Sequence, residues 1–118
     1  MPALNFKKRF APDVESGRKR QTIRKKRKDK RDPRPGQTLY LFTGMRTKSC
    51  RRLGEAMCKK STPISINEDC YITLDGKGLG RAAGAMIAIN DGFERESDFF
   101  DFFKKEHGLP FYGLLIEW

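Results

Sequence analysis

The sequence is poor in the residues that build metal sites and disulfide frameworks. It has one histidine, His107, and three cysteines, Cys50, Cys58 and Cys70, whose spacing matches no zinc-binding pattern. An odd number of cysteines without such spacing indicates a reducing compartment. We therefore expect neither a metal nor a cofactor, and we assign His107 to an interaction with the end of a helix.

Long apolar runs are also missing. No stretch approaches the ~20 residues needed to span a bilayer, and the opening MPALNFKKRF lacks the apolar core of a signal peptide. We expect no membrane association and a cytoplasmic location. With 118 residues, of which 37% are hydrophobic and 34% charged, the chain fits a single domain, residues 1–118, with a modest core and a highly charged surface.

Positive charge, by contrast, is concentrated in one part of the chain. Ten of the fourteen residues from 18 to 31 (RKRQTIRKKRKDKR, the basic segment) are lysine or arginine, and only Asp29 opposes them. Fixed positive charge of this density attracts phosphates and releases their counterions. A polyanion is the expected partner, with RNA as first choice, although charge alone does not distinguish RNA from DNA. The alternative interpretation is a solvated tract or a transport signal.

Apolar periodicity predicts an α+β fold of short strands and a few helices. Strands are expected near residues 3–6, 22–24, 37–43, 54–62, 64–74 and 111–118, and helices near 10–16, 79–90 and 97–107. Exposed basic loops are expected at about 25–36 and 44–53. Turns between so many short strands favour a small β-barrel of about five or six strands with two to three flanking helices. In the last helix, a phenylalanine cluster is predicted to pack in the core, not to stack on bases: Phe99, Phe100, Phe102 and Phe103.

The basic segment overlaps a compact polar motif, GRKRQTIR at residues 17–24. This motif resembles the G-x-K-x-x-T-[IV]-R signature of the ASCH family, whose fold is a small β-barrel related to the PUA domain. The opening LNFKKRFAPDVESG, the PGQTL of residues 35–39, the DGF of residues 91–93 and the final strand follow the family's order, so the resemblance covers nearly the whole chain. It implies a PUA-like barrel that binds RNA or nucleosides.

The resemblance also implies a chemistry. One small bacterial group of the family hydrolyses the amide of N4-acetylcytidine with a lysine, a threonine and a glutamate. These roles fall on Lys19, Thr22 and, one methylene shorter than glutamate, Asp91. Thr22 would be the nucleophile, Lys19 its base with a pKa lowered by neighbouring charges and burial, and Asp91 would orient the lysine. Lys19 and Thr22 converge only if the chain bends between them, since residues three apart in a regular strand face opposite sides.

Binding without turnover is the favoured function, because a long cationic segment serves no purpose in hydrolysing an uncharged nucleoside. The two basic loops are predicted to flank one opening and form a funnel for a nucleic-acid backbone. The expected contacts are Arg18, Arg20, Arg24, Lys25, Lys26, Arg27, Lys28, Arg46, Lys48, Arg51 and Arg52. Three alternatives stay open: the N4-acetylcytidine amidohydrolase, a ribonuclease using lysine chemistry, and a phage or mobile-element protein that blocks a host nucleic-acid enzyme. We expect a monomer or weak dimer.

Overall fold

The computed structural model describes residues 2–118, which form eight strands and three α-helices. The strands are β1 (Ala3–Phe6), β2 (Gln21–Arg24), β3 (Thr38–Thr43), β4 (Arg51–Met57), β5 (Lys60–Ile66), β6 (Ile72–Leu74), β7 (Lys77–Gly78) and β8 (Phe111–Glu117). The helices are α1 (Ala11–Glu15), which follows a short 3-10 turn, α2 (Arg81–Asn90) and α3 (Glu96–Glu106). Within this described part of the chain, no helix has the length and apolar character that a membrane span needs.

The strands are arranged in two sheets. A three-stranded sheet has the order β1-β3-β4, in which β1 runs parallel to β3. A five-stranded antiparallel sheet has the order β2-β8-β5-β6-β7. The predicted α+β class is confirmed and three helices lie within the expected range. Eight strands exceed the five or six predicted, and between residues 2 and 118 the two sheets do not close into one barrel.

A proline marks the main error in the predicted strand boundaries. Pro63 was expected to separate two strands, because proline cannot donate a hydrogen bond to a sheet. It lies instead inside β5, opposite Leu114 of β8, and its carbonyl oxygen accepts a hydrogen bond from the Asp75 amide at 2.8 Å. The strand expected at residues 64–74 is divided by a turn in which the Asn67 side chain accepts hydrogen bonds from the amides of Asp69 and Tyr71.

Other boundaries differ by a few residues. The second basic loop ends at Cys50, because Arg51 and Arg52 already belong to β4. α3 begins at Glu96, one residue before the predicted start, and its N-cap residue Arg95 makes no side-chain capping hydrogen bond. β7 was not predicted, since two residues carry no periodic signal.

The core is built around the aromatic face of α3. Phe99, Phe100 and Phe103 are buried, and Phe103 packs against the Phe111 ring of β8 at a centroid distance of 5.1 Å. Burial in the core is confirmed for these three rings, whereas Phe102 is only partly buried. The helix predicted near residues 79–90 is present as α2, on which Ile87 and Ala88 are buried and Met86 and Ile89 are about half exposed.

The turn after α1 positions the motif. Gly17 ends the helix with φ of +82°, a left-handed conformation that glycine adopts without strain. The Lys19 amide then donates a hydrogen bond to the Asp13 carbonyl at 2.9 Å, which turns the chain back along α1. Two residues later the chain enters β2 and pairs with β8. The helix predicted near residues 10–16 is confirmed.

Candidate functional site

A cavity of about 260 Å³ lies where β1, β2 and the end of α3 meet. Four of its polar lining residues come from the motif or its expected partner: Lys19, Thr22, Arg24 and Asp91. Four aromatic rings supply much of the remaining wall: Phe6, Phe10, Phe102 and Phe103. The cavity therefore combines apolar walls with a small, converging set of polar groups, which is the usual composition of a ligand pocket.

Lys19 and Asp91 form a buried ion pair beneath this cavity. The side chains are 3% and 7% exposed, and Lys19 Nζ lies 3.1 Å from Asp91 Oδ1. The same ammonium also donates a hydrogen bond to the Asp91 backbone carbonyl. It lies 4.9 Å from the centre of the Phe10 ring, so an aromatic face covers the amine. The pair joins the segment before β2 to the end of α2.

Gln21 completes the environment of the carboxylate. Its Nε2 donates to the Ile87 carbonyl at 3.0 Å and lies 3.4 Å from Asp91 Oδ1. These contacts fix Asp91 at the end of α2. Among the described residues, every buried side-chain nitrogen and oxygen has a hydrogen-bond partner, so the polar floor is fully satisfied without a ligand.

Burial moves both members of the pair toward their neutral forms. It lowers the pKa of Lys19 from its ordinary value, while the Asp91 carboxylate opposes this shift and Arg24 reinforces it. Burial likewise raises the pKa of Asp91 above its usual range, against the opposing effect of Lys19, Gln21 and Arg24. A proton can therefore pass between the two groups at lower cost than between exposed side chains.

Thr22 is held by an arginine, not by the lysine. Arg24 Nε donates to Thr22 Oγ1 at 3.0 Å, and Arg24 Nη2 donates to the Asn5 carbonyl of β1 at 2.6 Å. The guanidinium also lies 5.0 Å from the centre of the Phe6 ring. A cation that donates to the hydroxyl oxygen stabilises negative charge on that oxygen and leaves its proton free to be removed.

Lys19 and Thr22 line the same cavity although they are three residues apart. They can do so because Lys19 precedes the first residue of β2, so the alternation of a regular strand does not separate them. The chain turns at Gly17, whose φ is +82°, and becomes a regular strand only at Gln21. Asp91, to which the resemblance assigns the acidic role, also lines this cavity.

The remaining basic residues are distributed unevenly around this cavity. Lys25 lines its rim, whereas Arg18, Arg20, Lys26 and Lys28 are exposed outside it. Arg18 lies 3.8 Å from the Asp13 carboxylate.

Arg27 has a structural role in the first basic loop. Its guanidinium donates to the Ala3 carbonyl at 3.1 Å, and its amide donates to the Asp32 carboxylate at 2.7 Å. These contacts tie the loop to β1, so Arg27 anchors the basic segment.

The second basic loop does not reach the cavity lining. Arg46 and Lys48 are exposed, and Arg51 and Arg52 are paired with the carboxylates of Glu15 and Glu55. None of these four basic residues lines the cavity. The loop does approach it through the Met45 amide, which donates to the Asn5 side chain at 3.0 Å.

His107 is a cavity residue that the sequence did not reveal. It lies at the end of α3, where a helix-end role was predicted, but it also lines the cavity beside Glu106. Its ring contacts Phe103 and Phe111 at centroid distances of 5.5 and 4.9 Å. Burial, and then the nearby Lys25 ammonium, lower the pKa of His107. No sequence signal links residue 107 to a motif so far ahead of it in the chain.

The described residues include no group of three histidine, cysteine, aspartate or glutamate side chains that could hold a metal ion. No family model matches the chain, and no curated protein or solved structure matches it significantly. The ASCH resemblance stays a prediction carried by the motif residues. Function is therefore argued from the cavity and from the charges around it.

Proposed function

We propose that this protein binds nucleic acid, RNA in the first place, and accepts a single base or nucleoside in the cavity lined by Lys19, Thr22, Arg24 and Asp91. The observation that carries the proposal is the convergence of these four side chains on one aromatic-walled cavity next to the basic segment. Size supports one base as the occupant. The cavity of about 260 Å³ lies just below the range of about 300–1,000 Å³ typical of sites for drug-sized ligands.

The chemistry of the walls suits a planar heterocycle. Phenylalanine rings offer faces and edges against which a base packs, while carboxylate, guanidinium and hydroxyl groups can pair with its ring edge. RNA-binding proteins commonly read an unstacked base in this way, through contacts to its edge and face together.

The basic segment supplies the attraction to the backbone. Lys25 lies at the cavity rim and the exposed Lys26 and Lys28 follow it along the loop. A strand whose base enters the cavity would carry its phosphates past these ammonium groups, which would release counterions and contribute affinity independently of sequence. This arrangement favours a polymer over a free nucleoside.

We also propose that the chain is a divergent ASCH domain, its two sheets corresponding to an open PUA-like barrel. The support is that the motif lysine, threonine and arginine share one cavity with the aspartate that the family order selects. Asp91 has a shorter side chain than the family's glutamate. Its position in the fold compensates for the difference in length, because Asp91 already contacts Lys19 directly.

A second candidate, hydrolysis of the N4-acetylcytidine amide, is favoured by one observation: a desolvated lysine and an arginine-bound threonine hydroxyl line the same cavity. The neutral Lys19 amine would take the Thr22 proton as Oγ1 bonds to the acetyl carbon. The amide C–N bond would then break, and the proton would pass from Lys19 to the departing amino group of cytidine. Water would attack the resulting acetyl ester with the same base, releasing acetate and regenerating Thr22.

Two measurements test these proposals. Fluorescence anisotropy with labelled C6, U6, A6 and G6 RNA should show binding at low salt, with base preference reduced in Thr22→Val while the salt dependence is retained. Absence of wild-type binding to all four would overturn the binding proposal.

For hydrolysis, the purified protein is incubated with N4-acetylcytidine, free and within RNA, and acetate is measured. Thr22→Ser should retain turnover and Thr22→Val should lose it. Equal turnover by both variants would remove Thr22 as nucleophile. A gel of the RNA after incubation would reveal strand cleavage, which would favour a ribonuclease.

A further inference from the structure

A second concavity lies outside the motif, on the five-stranded sheet. It has a volume of about 500 Å³, and its lining includes Tyr112 of β8, Ser65 of β5 and Thr73 of β6. The sheet register places these three residues in one row, because Tyr112 is opposite Ser65 and Ser65 is opposite Thr73. In this row a large aromatic side chain stands beside two small hydroxyl residues, so an open concave surface forms next to the tyrosine ring. We call this concavity the Tyr112 groove.

The tyrosine ring is largely open to solvent. Tyr112 is 71% exposed, and at this position β8 pairs with β5 alone among the described strands, because its pairing with β2 ends at Leu114. Its chain neighbours Phe111 and Gly113 are buried. An exposed aromatic side chain on a sheet is the form of platform on which single-stranded nucleic acids stack their bases.

Charge at the groove fits the same ligand. Lys25 and Lys26 of the basic segment line it, and none of its lining residues carries a carboxylate. Both lysines are exposed, so their ammonium groups are available to a phosphate. An apolar protein segment would match only the tyrosine ring, and an acidic one would match only the lysines. A nucleotide offers a flat apolar face and a negative charge together.

The groove and the cavity are neighbours. Of the described residues, Lys25 alone lines both of them. A phosphate bound at Lys25 would therefore join a base in the cavity to a base in the groove.

We propose that the Tyr112 groove is a second nucleotide subsite, in which the base next to the one in the cavity stacks on Tyr112 while Lys25 and Lys26 hold the linking phosphates. The inference rests on the proposed function and adds to it the length and path of the ligand. It requires a single strand of at least two nucleotides, because a duplex keeps its bases stacked on each other.

The test compares three variants in anisotropy titrations with the labelled RNA hexamer that the wild type binds best. Tyr112→Ala should weaken binding between about 5-fold and about 100-fold, the range for loss of one base–aromatic stack. Tyr112→Phe keeps the ring and should bind like the wild type. Tyr71→Ala removes another exposed tyrosine, one that does not line the groove, and should also bind like the wild type. Thermal unfolding of each variant checks that the fold is retained.

Salt dependence separates stacking from charge. Tyr112→Ala should leave the slope of log affinity against log salt unchanged, whereas Lys25→Ala/Lys26→Ala should make it shallower. Equal affinities of Tyr112→Ala and Tyr71→Ala, with a wild type that binds RNA, would overturn the subsite and leave the proposed function standing. A wild type that binds no RNA would overturn both. Loss of self-association in Tyr112→Ala, with RNA affinity unchanged, would instead assign the groove to a second copy of this chain.

Discussion

Two buried charges decide the properties of the cavity. Lys19 and Asp91 are both almost fully inaccessible, and each is the principal charge opposing the other's desolvation. Taking two ions out of water costs several kcal/mol each, so such a pair contributes little net stability while both partners are present. Removing one partner leaves an uncompensated charge, which is a larger perturbation than the removal of one hydrogen bond.

Lys19→Met should accordingly reduce the free energy of unfolding by about 3–5 kcal/mol near neutral pH. The Asp91 carboxyl that remains has a pKa raised by burial, so the folded state binds its proton more tightly than the unfolded state does. Stability from such a group is full below the ordinary carboxyl pKa and is lost as pH rises through the raised value. Urea unfolding at several pH values should therefore show the deficit growing with pH.

The double variant Lys19→Met/Asp91→Asn provides the control, since asparagine cannot ionise. It should recover part of the lost stability and should lose the added pH dependence. A deficit in Lys19→Met that stays constant between about pH 4 and about pH 8 would show that the carboxyl has no such raised pKa.

Among the strands, the close approach of β2 to β8 fixes where Thr22 and Arg24 lie. Gly113 of β8 faces the chain at Arg24, and a Cβ atom there would clash with the Arg24 carbonyl oxygen and lie 2.9 Å from the Phe111 ring. The glycine is needed for contact with backbone, which cannot move aside as a flexible side chain can.

Gly113→Ala should push β2 away from β8, reduce the free energy of unfolding by about 1–3 kcal/mol, and weaken RNA binding by displacing Thr22. Chemical denaturation and anisotropy measure the two effects. Gly80→Ala is the matched control, because nothing lies within 4 Å of a Cβ at that position. If the two variants had equal stabilities, the contact with Arg24 would not constrain the site.

Local sequence predicted the elements better than their edges. The helix near residues 10–16 and the strands near 37–43 and 111–118 were predicted well because each signal is local. Pro63 misled because it lies inside β5 although it lacks a backbone donor, and its carbonyl oxygen accepts a hydrogen bond from the Asp75 amide just after β6. The exposure of Met86 and Ile89 could not be predicted, since a helical period defines a stripe but not which neighbours cover it.

In the candidate site too, residues with a local sequence signal were predicted, whereas residues positioned by tertiary packing were not. Lys19 and Thr22 were found from a motif eight residues long, and Asp91 from the order of family elements. His107, Gln21 and Asn5 were missed, because their roles come from tertiary packing between distant segments. The Tyr112 groove likewise exists only once three strands are in register.

Across the whole molecule, net charge is the property that would dominate the proposed association with nucleic acid. The formal charge is +10, yet Lys19 and the Arg24 guanidinium face the cavity and Arg27 anchors its loop, so the exposed cations supply the long-range attraction. Exposed ion pairs such as that of Arg51 with Glu15 partly cancel positive charge at the start of β4.

Lys25→Ala/Lys26→Ala/Lys28→Ala should weaken binding to all RNA sequences alike and reduce the salt slope by about 0.7 for each single-strand phosphate that is no longer neutralised. Lys8→Ala/Lys60→Ala/Lys104→Ala removes the same charge from exposed positions that do not line the cavity. Anisotropy between about 50 and about 200 mM salt compares the two triple variants. Identical slopes would mean that only overall charge matters.

The pairing of β2 with β8 has a consequence for folding during synthesis of the protein. Within residues 2–118 its single sheet partner is β8, almost the whole length of the chain away. While a ribosome is still making the protein, the basic segment emerges before α3, which contributes Phe102 and Phe103 to the cavity wall, and before β8, which pairs with β2. If the protein binds RNA as proposed, the incomplete chain would attract polyanions without base preference, and that preference would arise only after the slow closure of the long loop between β2 and β8.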